Sequence, residues 1–158
     1  MAKIERKYMA HYIDAGTDGE NYVRLGKDLE EYSPEMSAEV ETTKNILGET
    51  SVLISSYEKT ASVEPYYAEK GDPLFERLQK IIDEGLVLDD LKTNVVEVKL
   101  WEAETSGAYP AVKETAYIEI TSYGGDTTGY QIPFTLHYTG EKVKGTFNIS
   151  TKSFQAGA

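Results

Sequence analysis

The chain has 158 residues, of which 27% are charged and 40% hydrophobic, with a net charge of −11 at pH 7. This balance is typical of one globular domain with a core of its own, and we predict a single domain over residues 1–158. The acidic charge argues against nucleic-acid binding by phosphate neutralisation, and the absence of cysteine excludes disulfides and thiolate metal sites. Because no apolar run reaches about 18 residues and the N-terminus lacks the apolar core of a signal peptide, we expect no membrane span and folding in a cytoplasm.

A long hairpin over about residues 34–64 follows two shorter predicted strands, residues 6–13 and 22–25. Along its first arm, acidic or hydroxyl side chains alternate with apolar ones, which predicts a strand with one acidic and one apolar face. Since each strand residue advances ~3.3 Å, an arm of a dozen residues reaches roughly 40 Å and projects beyond a compact body. The acidic side chains of this arm are those of Glu35, Glu39 and Glu41.

The tip of this hairpin, residues 45–50, carries a glycine that suits the backbone angles of a tight turn. Large apolar side chains cluster at and near the tip, where they are unusual unless another surface covers them. We therefore predict a contact surface for a partner here. Its candidate residues are Ile46, Leu47, Leu53, Ile54 and Tyr57.

One helix is predicted over residues 72–85. Asp72 suits the N-cap, Pro73 the first helical position and Gly85 a left-handed C-cap. The apolar residues of the segment follow a single stripe at helical spacing, so the helix needs an apolar sheet to pack against. The stripe consists of Leu74, Phe75, Leu78, Ile81 and Ile82.

The second half of the chain is predicted as strands at residues 93–102 and 111–122, followed by a hairpin. The arms of that hairpin are residues 130–138 and 143–150, and its turn is residues 139–142. The predicted fold class is mainly β: an antiparallel β-sandwich or partial barrel with one flanking helix and a long projecting hairpin.

Catalysis and metal binding find little support in the sequence. The two histidines, His11 and His137, have no second metal ligand at a useful spacing, and no set of nucleophile, base and orienting group can be assembled around them. We therefore predict no enzyme, no cofactor and no metal. A carbohydrate-binding or adhesion module stays open as an alternative, in which Trp101 and some of the twelve tyrosines stack on sugar rings.

Several stretches of the chain resemble the major tail tube proteins of bacteriophages, in particular those of siphophages and prophages from low-GC Gram-positive bacteria. The resemblance covers about residues 3–155 and rests on the number and order of family-typical phrases rather than on a catalytic motif. These phrases are Arg-Lys-Tyr-Met-Ala-His-Tyr-Ile at 6–13, the segments 41–51 and 56–67, Gly-Asp-Pro-Leu-Phe-Glu-Arg-Leu at 71–78, and Tyr-Gly-Gly-Asp-Thr-Thr-Gly-Tyr-Gln-Ile-Pro-Phe at 123–134.

The resemblance implies a β-sandwich subunit that forms hexameric rings, which stack into a hollow tube in the virion. The implied partners are further copies of the chain, a tape-measure protein in the lumen, and tail terminator and baseplate proteins. DNA would pass through the lumen without specific binding. A tube from a contractile phage-tail-like particle stays open beside the flexible tail.

The resemblance also gives the hairpin residues expected roles. The apolar candidates Ile46, Leu47, Leu53, Ile54 and Tyr57 would contact the next ring or subunit. Glu35, Glu39 and Glu41 would line the lumen, where carboxylates repel the phosphates of passing DNA. The alternative place for this acidic face is the outer, solvated surface of the tube.

Overall fold

The computed structural model describes residues 2–16, 19–26, 29 and 31–157 and confirms the predicted fold class, with mainly antiparallel β-structure, one flanking helix and a projecting hairpin. The helix is α1 (Pro73–Glu84), and Arg6–Tyr8 and Leu88–Leu91 form short 3-10 turns. Among the described residues, no helix has the length and apolar character needed to cross a membrane. The strands are β1 (Met9–Asp14), β2 (Tyr22–Leu25), β3 (Glu35–Lys44), β4 (Thr50–Val63), β5 (Lys92–Lys99), β6 (Ala108–Ile120), β7 (Gly124–Asp126), β8 (Gly129–Gln131), β9 (Phe134–Asn148) and β10 (Ser153–Ala156).

Eight of these strands form one antiparallel sheet in the order β2-β1-β5-β6-β9-β4-β3, with β10 paired to β9 beside this path. The strands β7 and β8 form a separate two-stranded ribbon. The register is regular through the centre of the sheet, where Ile13 lies opposite Val95 and Tyr12 opposite Val96. This order leaves β3 at one edge of the sheet and β2 at the other.

The helix begins and ends as its sequence predicts. The side chain of Asp72 accepts a hydrogen bond from the Leu74 amide at 3.0 Å, and Gly85 adopts the left-handed conformation with φ 60°. The buried stripe of α1 lies on one face of the sheet and forms the main core with it. This core includes Leu74, Leu78 and Ile81 of the helix and Ile13, Val63, Val95, Ile118, Phe134 and Leu136 of the sheet.

A second, smaller core forms on the opposite face of the sheet. Successive strand residues point to opposite faces, so Tyr12 and Val96 face away from the helix while their neighbours Ile13 and Val95 face it. The ring of Phe147 packs against Tyr12, with centroids 4.5 Å apart. Each face of the sheet is therefore apolar over part of its area.

The predicted hairpin over residues 130–150 is wrong. Residues 134–148 form the single strand β9, which pairs with β6 from Ile120 to Ala108. The pairing is interrupted by a bulge between Glu114 and Ala116, opposite the predicted turn. Gly140, with φ 89°, serves a bent strand here rather than a reversal, since bulges and turns both need such a backbone angle.

Candidate functional site

The projecting hairpin consists of β3 and β4, which pair from Glu35–Thr60 at the root to Lys44–Thr50 at the tip. Only residues 59–63 of β4 also pair with β9. Within the described part of the chain, residues 50–58 therefore have β3 as their single strand partner. The structure confirms a long hairpin that extends beyond the rest of the sheet.

A hydrogen-bonded turn closes the hairpin and holds its tip in one shape. The Asn45 side-chain oxygen accepts from the Leu47 amide at 2.9 Å and from the Glu49 amide at 3.0 Å. Gly48 has φ 82°, which supplies the backbone angle that the turn requires. Ile46 is fully exposed and Leu47 nearly so, and the ordered turn thus presents two apolar side chains to the surroundings.

A β-bulge in β4 changes which of its side chains lie on each face of the hairpin. Glu39 lies opposite Ser56, whereas the next residue, Val40, lies opposite Ile54. The intervening Ser55 has no residue opposite it, so the side-chain alternation of β4 shifts there by one position. As a result, the apolar residues on both sides of the bulge share one face. We call this the apolar face: Met36, Ala38, Val40, Val52, Ile54 and Tyr57.

The apolar face is uncovered although it continues a buried surface. Its five large side chains are between 49% and 63% exposed. At the root, Met36 lies opposite Lys59, and from there the same side of β4 runs into the core through Ala61 and Val63. The apolar face of the hairpin thus lies on the same side of the sheet as α1, but it extends beyond the area that α1 covers. Large exposed apolar patches on proteins commonly mark interaction surfaces.

The opposite side of the hairpin is the acidic face, with Glu35, Glu39, Glu41 and Glu58 among hydroxyl residues. No lysine or arginine of β3 or β4 points to this side, and no ion pair within the described residues involves these four carboxylates. The three glutamates predicted from the sequence as one face therefore lie on one face, which Glu58 of β4 extends.

The five predicted contact residues do not form a single patch. Ile46 and Leu47 lie at the tip, and Ile54 and Tyr57 lie on the apolar face. Leu53, in contrast, lies opposite Glu41 on the acidic face, because the bulge at Ser55 moves its neighbours Val52 and Ile54 to the other side. The apolar face further contains Met36, Val40 and Val52, which sequence reasoning had not assigned to a contact.

A cluster of charged residues, of which Glu114 is buried and the others are half-buried, lies where the hairpin joins the sheet, and it was missed in the sequence. The Lys59 ammonium lies 3.0 Å from Glu97 Oε1 of β5 and 2.9 Å from Glu114 Oε1 of β6. It also lies 4.4 Å from the centroid of the Tyr138 ring of β9. The one available signal was a lysine between Tyr57 and Ala61, at a position where the alternation points inward. We call Lys59, Glu97 and Glu114 the root cluster.

The electrostatics of the root cluster favour its charged forms. Burial opposes the charge of Lys59, but hydrogen bonds to Glu114 and Glu97 outweigh it and raise the pKa of Lys59. His11 and Lys59 lower the pKa of Glu97 to about 2, against the effect of burial. His11 Nε2 lies 3.6 Å from Glu97 Oε1, too far for a good hydrogen bond, and burial lowers the pKa of His11. The cluster is therefore a set of interacting charges at the edge of the core.

Outside the hairpin lie the residues that the sequence analysis considered for catalysis, metal binding and sugar stacking. His137 is exposed and pairs with Glu119 at 2.8 Å, and no group of three or more His, Asp and Glu side chains in the described segments is arranged to hold a metal. Trp101 lies in the turn after β5 and is 40% exposed, and the ring pairs found among the described residues do not include it. One isolated ring is a poor platform for stacking sugars.

The hairpin is therefore the most distinctive surface of the described chain. Its tip and apolar face are exposed, and no lysine or arginine of β3 or β4 lies on its acidic face. At its root, Lys59 is hydrogen-bonded to Glu97 of β5. No protein-family model and no curated protein sequence matches this chain.

Proposed function

We propose that this chain is the structural subunit of a bacteriophage tail tube, assembled from rings of identical copies that stack around a lumen for DNA. The observation that carries the proposal is the projecting hairpin, whose apolar face and tip are exposed in the single chain. A second copy of the chain is the occupant that covers them. The resemblance of the hairpin segments 41–51 and 56–67 to tail tube proteins supports the same assignment.

Free strand edges support self-assembly as the purpose of this surface. The sheet ends at β3 on one side and at β2 on the other. An edge strand offers unpaired N–H and C=O groups, and a long one beside an exposed apolar face is an aggregation hazard for a monomer. In an ordered assembly, the edge strands and the apolar face of one copy would contact different surfaces of the next identical copy. Such head-to-tail contacts generate closed rings or extended tubes.

The two opposite faces of the hairpin support a place for the acidic residues on the lumen wall. Because they lie on opposite sides of one two-stranded ribbon, a hairpin that buries its apolar face against another copy presents its acidic face on the other side. Glu35, Glu39, Glu41 and Glu58 then repel the phosphates of passing DNA, which slides without sticking.

Electron microscopy of the purified full chain tests the proposal, with two adjacent hairpin variants as a matched pair. Ile54→Asp places a charge on the apolar face, and Leu53→Asp places the same charge on the acidic face at similar exposure. We expect tubes from the wild-type chain and from Leu53→Asp, and monomers from Ile54→Asp. A wild-type chain that sediments as a monomer at its highest soluble concentration would contradict self-assembly.

The lumen assignment has a separate test in a phage that carries this chain as its tail subunit. The double variant Glu39→Lys/Glu41→Lys should assemble but eject DNA more slowly, because lysines on the lumen wall attract phosphates. The control Glu102→Lys/Glu104→Lys makes the same charge change in the exposed loop after β5. If both double variants eject at the wild-type rate, the acidic face belongs on the outside.

A further inference from the structure

The root cluster occupies the point where the hairpin separates from the sheet. Lys59 is the last residue of β4 paired with β9, where it lies opposite Tyr138. Beyond it, β4 continues with β3 alone, and at ~3.3 Å per residue the tip lies roughly 30 Å away. A small change of angle at Lys59 is therefore amplified at the tip: a swing of about 20° moves it by roughly 10 Å.

The Lys59 ammonium connects this point to three other strands. Its bonds to Glu97 and Glu114 reach β5 and β6, and its contact with the Tyr138 ring reaches β9. The Lys59 side chain is 13% exposed and that of Glu114 only 4% exposed, so water does not compete effectively for these contacts. One half-buried charge thus connects β4 at this point to β5, β6 and β9.

The second carboxylate oxygen of Glu114 binds β9, the strand from which β4 separates. It accepts a hydrogen bond from the Gly140 amide at 3.1 Å, just past the last β9 residue that pairs with β4. At this point β9 stays with β6, across from the Glu114–Ala116 bulge, while β4 departs with β3. The same carboxylate therefore holds both the departing strand, through Lys59, and the strand from which it departs.

Replacing buried ion pairs by apolar residues of equal size is often neutral or stabilising, and in some proteins such pairs specify one arrangement among several of similar energy. The main core next to the root is already filled by Ala61, Val63 and Leu136. The charges are best explained by a requirement for one defined hairpin direction.

We propose that Lys59 is a positioning residue: held by Glu97 and Glu114, it fixes the direction in which the β3–β4 hairpin leaves the sheet. The consequence for assembly rests on the proposed tube function, since a tip that wanders by several ångströms does not meet its contact on another copy. The direction of the hairpin in the single chain does not depend on that function.

The distance between the hairpin tip and the helix tests this role directly. The chain has no cysteine, so Ser51→Cys and Glu76→Cys, both exposed, accept one spin label each in the full chain. Pulsed electron resonance on monomers, verified by sedimentation, then gives the distribution of tip-to-helix distances. The test variant, Lys59→Met/Glu97→Gln/Glu114→Gln, removes all three charges together, which avoids leaving a buried carboxylate unpaired.

We expect the distance distribution of the test variant to be at least twofold broader than that of the wild type, or displaced from it. The conservative variant Lys59→Arg should keep the wild-type distribution. So should the control Lys144→Met/Glu102→Gln/Glu104→Gln, which makes the same charge changes at exposed positions.

Two results would overturn the positioning role. One is an unchanged distribution in the test variant, with or without a lower melting temperature. The other is a test variant that does not fold, because it would show that the core itself requires the cluster. Since the measurement is made on monomers, its outcome is independent of whether the wild-type chain forms tubes. A failure of the tube proposal is thereby distinguished from a failure of this inference.

Discussion

Replacing Glu97 with glutamine removes the carboxylate that His11 and Lys59 face, while keeping the size of the side chain. In the folded chain these neighbours lower the pKa of Glu97 from its ordinary value of 4.5 to about 2. A carboxyl with a lowered pKa binds protons less readily in the folded than in the unfolded chain. Its contribution to stability is therefore complete above about pH 4.5 and is lost as the pH falls toward 2.

The size of this contribution follows from the shift in the pKa. Each pKa unit corresponds to about 1.36 kcal/mol, so a shift of this size corresponds to at most roughly 3 kcal/mol of the free energy of unfolding at pH 7, and the 3.6 Å separation of His11 and Glu97 makes the contribution smaller than this limit. Its side chain is 23% exposed, so screening by solvent is incomplete. For a domain with a typical stability of about 5–15 kcal/mol, this is a large fraction.

Urea unfolding of the wild type and Glu97→Gln at several pH values between 7 and 2.5 measures the effect. We expect the variant to be less stable at pH 7, and the difference in stability to shrink by up to roughly 3 kcal/mol toward the lowest pH. Burial lowers the pKa of His11 from 6.5, so both proteins lose stability below that pH. Because Glu97 counteracts this lowering, the difference between the two proteins measures Glu97 together with its coupling to His11. Glu41→Gln, on an exposed carboxylate, is the control. A gap that stays constant with pH would refute the argument that these charges favour ionised Glu97.

Three further predictions concern the helix and its packing. Leu78→Ala, at a fully buried position, should cost about 2–5 kcal/mol in urea unfolding because it leaves a cavity; a smaller loss would mean that the core collapses around the site. Asp72→Ala should cost more than the roughly 1 kcal/mol of a lost cap, since the Leu74 amide and the Tyr66 hydroxyl both lose their acceptor, whereas Asp72→Asn should restore most of the stability. Gly85→Ala should lower the melting temperature by a few degrees through its left-handed backbone alone, because an added Cβ meets no atom within 4 Å. An unchanged melting temperature would show that the C-cap relaxes.

The helix and the projecting hairpin were predictable because their signals are local. The Asp72-Pro73 start, the Gly85 end and the stripe between them all belong to one short segment, and the structure agrees with each. The hairpin likewise combines a glycine turn with two arms of alternating residues. Each of these elements follows from neighbours in the sequence, so no knowledge of the tertiary structure was needed.

The features that the sequence did not reveal depend on which strands become neighbours. A glycine at position 140 fits a turn as well as a bent strand, and only the pairing of β9 with β6 decides between them. The bulge at Ser55 has no signature of its own, yet it determines that Leu53 and Ile54 exchange faces. The root cluster joins residues 59, 97 and 114, which are far apart in the chain and meet only through the sheet order.

The charge of the chain and its apolar hairpin face have opposite effects on association, and together they set a condition for assembly. A net charge of −11 makes single copies repel one another and stay soluble, although each exposes an apolar face. In the proposed tube, contact between copies would therefore have to bury enough apolar surface at once to exceed this repulsion. A hairpin with one fixed direction would meet that condition, because its tip and its apolar face would contact another copy in the same step. A hairpin of variable direction would form these contacts one after another. On this reasoning, the charges at the root and the exposed apolar residues beyond it serve the same end.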